Sequence, residues 1–141
     1  VLMTVFSPEL NFVVGITKKR GPAFLLGKLT FPGGKLEQEE TAAEAASREM
    51  LEETGLSIPR DTWRLVEHVE HADCELTVLT ATSKAFYSAC MLEDEPVWHL
   101  SVERHLAYAK AQPAQYSPDF IRLREDSLRV IRSRAEVAVE V

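Results

Sequence analysis

The 141 residues carry 22 Asp and Glu against 16 Lys and Arg, a net charge of -6, with 45% hydrophobic and 27% charged positions. A chain of this length buries roughly 70% of the surface its unfolded form exposes, and the composition fits a single globular domain, 1–141, without low-complexity sequence. The acidic balance speaks against duplex nucleic acid and membrane surfaces as partners, since both select basic faces, and favours small molecules or metal ions.

Cys74 and Cys90 are the only cysteines and belong to no C-x-x-C pair, so neither a zinc site nor a disulfide framework is indicated, and a reducing cytoplasm is the expected location. No apolar run approaches the roughly 20 residues of a bilayer span, and the amino end lacks the order of a signal peptide. In chain order, "LMTVF" and "NFVVGI" read as two strands around the turn "SPEL". "KKRGPAFLLGK" is a charged connection to "LTFPGG", where Pro32, Gly33 and Gly34 end an extended segment. Thr41 with Glu44 forms a capping box, helix formers continue to Thr54, and Gly55 supplies the stop.

After "SIPRD", Trp63 to Val69 and Glu75 to Thr82 read as a hairpin, with "AFYSACML" as a further strand. Trp98, Leu100 and Val102 alternate before a short helix to Lys110, and "QPAQYSP" is a loop. Asp119 to Arg132 is helical, with Phe120, Ile121, Leu123, Leu128, Val130 and Ile131 on one half of the wheel. The tail "AEVAVEV" is open between a strand and a frayed end.

The chemistry concentrates in the first helix. At about 100° per residue, Glu49, Glu52 and Glu53 fall on one stripe about 100° wide and face a common point. Ala43, Ala46 and Met50 form the neighbouring stripe that rests on the sheet. Like charges at this spacing repel, so the stripe asks for a counterion. Hard divalent ions take such oxygen ligands, and Mg²⁺ usually combines a few carboxylates with water and substrate phosphate.

Gly34, Glu40, Arg48, Glu49, Met50, Glu52, Glu53, Gly55 and Leu56 satisfy the pattern G-x5-E-x7-R-E-U-x-E-E-x-G-U, U being apolar. Average residue frequencies put a chance match at a given position on the order of once in 10⁹ trials. The segment resembles the Nudix box without a departure. The resemblance implies an α+β Nudix fold, an α/β/α sandwich around a mixed central sheet. It also implies hydrolysis of a nucleoside diphosphate linked to another moiety.

By the same resemblance Glu49, Glu52 and Glu53 hold Mg²⁺ (or Mn²⁺), with the Gly33 carbonyl. Glu53 or Glu52 takes the water proton, Arg48 orients the carboxylates, and Glu40 and Gly34 support the loop. Glu95 is a candidate extra base or ligand, against its reading as an exposed loop residue.

"KLTFPGGKLE" further resembles the members that cleave damaged nucleoside triphosphates to a monophosphate and pyrophosphate. Lys28 and Lys35, and Lys18, Lys19 and Arg20 before them, are then candidate phosphate contacts or simply solvated charges. Tyr116 and Asp119 are candidates to stack on and hydrogen-bond the base, Asp119 having a helix N-cap as its plainer role. ADP-ribose, nucleotide-sugar and dinucleotide hydrolysis would use the same box, and a nucleotide sensor would keep the fold without the chemistry. Dimers are common in the family, and "VAVEV" would serve in a homodimer or in the chain's own sheet. His68 and His71, on opposite faces of a strand, suit no shared metal, and Trp63 and Trp98 are expected in the core or an interface.

Overall fold

The structure, a computed structural model, describes residues 1–70 and 72–140, with side chains through residue 133. Alternation in the first two runs produces β1 (Leu2–Phe6) and β2 (Phe12–Thr17), and "LTFPGG" contributes a short β3 (Leu29–Thr30). Helix α1 (Ala42–Thr54) follows, then β4 (Arg64–Glu70), β5 (Glu75–Thr82) and β6 (Val97–Ser101). Helices α2 (Val102–Ala111) and α3 (Phe120–Glu140) complete the chain.

The six strands form one mixed sheet in the order β3-β2-β1-β5-β4, with β6 on the other edge of β2. β1 runs parallel to β5 from Leu2 opposite Val78 to Phe6 opposite Thr82, whereas the remaining strand pairs are antiparallel. β1 and β2 meet at Phe6 and Val13 and then splay. The segment 29–34 fills that wedge: Thr30 and Leu29 pair with Ile16 and Thr17, after which Met3 N donates to Pro32 O at 2.9 Å and Gly34 N to Val1 O at 3.0 Å.

Because strand side chains alternate faces, the two sides of the sheet are separately hydrophobic. Met3, Val5, Val14, Leu79 and Ala81 pack with Ala46 and Met50 of α1. Phe6, Val13, Val78 and Leu100 pack with Ala109 of α2 and with Phe120, Leu123 and Leu128 of α3. The sandwich is therefore helix, mixed sheet, helices, as expected. α3 is also tied to the sheet by hydroxyls: Thr4 Oγ1 donates to Ser127 Oγ at 2.8 Å, and Thr80 Oγ1 donates to Thr4 O at 2.9 Å.

One expectation is corrected. "AFYSACML" is not a strand: Phe86–Ser88 is a 3-10 turn, and Phe86 and Ala89, three apart, are the buried residues, a period of three that a strand cannot present to one face. The tail, open in sequence between a strand and a frayed end, continues α3, whose backbone runs eight residues past Arg132 to Glu140. Trp98 is 48% exposed on the edge strand β6, its Nε1 donating to Thr17 Oγ1, whereas Trp63 is core. His71 and the side chains of the tail, and with them the reading of "VAVEV" as a dimer contact, lie outside the described residues.

Candidate active site

Helix α1 begins as its sequence requires. Thr41 Oγ1 accepts from Glu44 N, the Glu44 carboxylate accepts from Thr41 N, and Gly55 closes the helix at φ 79°, a left-handed conformation that glycine adopts without strain. With both ends fixed, Arg48 and Glu49 are set against the loop that carries Gly33 and Gly34.

Arg48 is the hub of these contacts. It donates to both carboxylate oxygens of Glu40 at 2.8 and 2.9 Å, to Glu49 Oε1 at 2.9 Å, to Glu52 Oε2 at 3.4 Å and to Lys35 O at 3.0 Å. The guanidinium bonds draw the Glu40 carboxyl down to about 2, with the Glu37 N–H bond assisting, and these partners push Arg48 itself upward. The like-charge repulsion along the stripe is thus partly offset within the chain itself.

Glu49 lies against the loop so closely that a Cβ at Gly34 would stand 2.3 Å from its carboxyl carbon, which explains the glycine. Gly33 sits opposite Leu2, where a Cβ would meet Val1 O at 2.7 Å. Glu52 is half-exposed, and Glu53 points inward. Burial first, then the negative charges of Glu49, Glu95 and Glu93, push the Glu53 carboxyl up to about 8, with Lys18 opposing. Glu53 Oε2 is the one buried side-chain nitrogen or oxygen among the described residues without a hydrogen-bond partner.

The three box carboxylates do not converge on one point as expected. Glu49 and Glu52 both turn to Arg48 Nη1 while Glu53 faces inward. Among the described residues, His68, Glu70 and Glu75 of the β4–β5 hairpin are the set whose potential ligand atoms all lie within 4.8 Å of one another, and all three are exposed. At the box, a dication fits the residues present: the donors are hard oxygens, and an orphaned buried carboxylate oxygen is among them.

Glu95 is buried at 6% exposure, not an open loop residue. Its Oε2 accepts from Lys19 N at 2.8 Å and Arg20 N at 3.3 Å, with Lys18 Nζ at 3.6 Å. Lys28 is half-buried, while Lys35 is exposed beside a cleft of about 470 Å³ that His68, Glu75 and Thr77 also line. Tyr116 is 5% exposed, packed on Phe120, with its hydroxyl 2.8 Å from His105 Nδ1. Its ring is part of the core, which corrects its reading as an open stacking platform. Asp119 is exposed at the start of α3, near Arg122.

Sequence reasoning missed the ion pairing between the basic run and "EDEP", where Arg20 also meets Glu93 and Asp94. Opposite charge in the two short runs was the available signal.

The NUDIX domain family model matches residues 6–119. The chain belongs to this family, and its fold is the Nudix fold. It is 43% identical over 47 residues to the 8-oxo-dGTP diphosphatase of Escherichia coli (strain K12), covering 33% of this chain and 36% of that one. It is 41% identical over 68 residues to the oxidized purine nucleoside triphosphate hydrolase of Mus musculus, covering 48% and 40%. The matches thus span well under half the length of these curated relatives.

Among solved structures, the NUDIX domain of Shewanella oneidensis NrtR complexed with ADP ribose superposes with a TM-score of 0.67 at 20% identity, over 95% of this chain and 85% of that one. A MutT structure from work on Aliivibrio salmonicida and Vibrio cholerae gives 0.63 at 18% identity, over 86% and 94%. At these identities the likeness is one of fold.

Proposed function

We propose that the chain is a divalent-metal-dependent hydrolase of nucleoside triphosphates, releasing a nucleoside monophosphate and pyrophosphate. One observation carries the reading: a complete box in which one carboxylate oxygen, Glu53 Oε2, is buried without a hydrogen-bond partner. An acid kept there without a donor is costly, and a cation removes the cost.

Glu49, Glu52 and Glu53, with the Gly33 carbonyl, would hold Mg²⁺ or Mn²⁺. When bound, the dication supplies charge neutralisation of the phosphate oxygens and acidification of water. Water attacks phosphorus, the anhydride P–O bond breaks toward pyrophosphate, and Glu53 accepts the water proton. A dication beside Glu53 would favour its ionised form, the one able to take a proton. Arg48 keeps Glu49 and Glu52 on the reacting side, and Glu40 fixes Arg48. Lys28 and Lys35 serve the outer phosphates, and Asp119 the base.

The curated relatives named for oxidised purine nucleotides support the triphosphate class over ADP-ribose, nucleotide sugars or dinucleotides. The test is a panel of these compounds with Mg²⁺, read by phosphate after added pyrophosphatase. Pyrophosphate from a triphosphate is the expected result. No turnover, together with a nucleotide that raises the melting temperature without metal, would replace the enzyme by a sensor.

A further inference from the structure

Two loops meet at the C-terminal end of α1. Cys90 N donates to Thr54 O at 3.0 Å and Leu92 N to Glu53 O at 3.3 Å, so the chain after residue 90 starts from carbonyls that the helix leaves open. It then sets Glu93, Asp94 and Glu95 against Lys18, Lys19 and Arg20 of the loop after β2, and Thr17 N donates to Pro96 O at 3.0 Å. The Leu92–Glu53 backbone bond and the pairing of Glu95 with Lys18 and Lys19 set both loops beside the end of the carboxylate helix.

The pairs are unequal. Arg20 reaches Asp94 at 3.1 Å and Glu93 at 3.8 Å with every partner at least 40% exposed, and ion pairs so exposed are weak enough to yield to a competing anion. Glu95, 6% exposed, gives one oxygen to two backbone N–H groups and faces the Lys18 ammonium. Such charge-assisted sets are strong, and breaking one strands a buried charge.

We propose that Glu95 is a positioning residue that clamps the Lys18–Arg20 turn beside the carboxylate helix, so that its cations receive the substrate's polyphosphate. The proposal rests on the triphosphate reading above. Incoming phosphate displaces Glu93 and Asp94 from Arg20, while Glu95 keeps the backbone in place. Its Oε2 is committed to these donors.

The test compares Glu95→Ala and Glu95→Gln with the parent, the second guarding against a first that fails to fold. Without metal, amide exchange at Lys19 and Arg20 should quicken about tenfold or more in Glu95→Ala and less in Glu95→Gln, whose amide oxygen still accepts both N–H groups. With a nucleoside triphosphate and Mg²⁺, KM should rise about tenfold in Glu95→Ala with kcat within about threefold. Glu95→Gln should recover most of KM and keep both limbs of the pH profile.

Unchanged exchange overturns the clamp. A kcat loss of about a hundredfold at constant KM, with one pH limb gone, makes Glu95 a chemical participant instead. A parent that neither binds nor cleaves any triphosphate overturns the function above and the phosphate role of the turn, while exchange still judges the clamp.

Discussion

Glu53 is a side chain whose charged form the fold disfavours. Between the ordinary carboxylate value of 4.5 and about 8, the folded chain keeps a proton on Glu53 that the unfolded chain has released. The folded state binds more protons there, so stability without divalent ions falls as pH rises through that window. Denaturation in chelator at about pH 5 and about pH 8.5 should show the loss, and Glu53→Gln should remove most of this difference. The same variant should lower turnover by about a hundredfold or more with an unchanged circular dichroism spectrum; a near-normal rate would take Glu53 out of the mechanism. Arg48→Met, which leaves Glu40, Glu49 and Glu52 without their guanidinium, should cost about 2 kcal/mol in denaturant unfolding. Of these roles, the box acids were legible because their spacing is local. The burial of Glu95 was not, because its donors lie 75 and 76 residues away in sequence.

At the scale of elements, the two glycines that flank the chemistry separate stability from geometry. A Cβ at Gly34 meets the mobile end of Glu49, so Gly34→Ala should melt near the parent yet bind Mn²⁺ about tenfold more weakly by calorimetry, its carboxylate having moved aside. Gly55 needs its left-handed φ of 79°, so Gly55→Ala should lose about 1 kcal/mol, a fall of about 4 °C in melting temperature. Helix α1 was readable to the residue because caps act within one turn. The segment "AFYSACML" was misread because a short apolar run fits strand or turn equally until the core selects a face. There the core takes Phe86 and Ala89, and the helix end takes the amides of Cys90 and Leu92.

For the whole molecule, alternation disclosed the strands and the two-sided core. Strand order was not readable from it, since parallel pairing of β1 with β5 depends on contacts more than 70 residues apart. Among the described residues, no helix is long and apolar enough to cross a membrane. The layers are held by a hydroxyl bridge as well as by apolar packing. Ser127→Ala leaves the buried Thr4 hydroxyl without its acceptor and should cost about 1–3 kcal/mol in denaturant unfolding. The double variant with Thr4→Val should cost less than the sum of the singles.

The wedge between β1 and β2 has a wider consequence. The amides of Met3 and Gly34 are both spent on bonds across it, so the glycine turn that borders the acids opens only when the sheet does. Segment 83–96 belongs to the same cooperative unit, with Phe86 and Ala89 in the core and Ser83 N donating to Phe6 O at 3.1 Å, whereas residues 19–27 are mostly exposed. Exposed side chains at 22–24 can therefore change while the glycine turn keeps its distance from the acids.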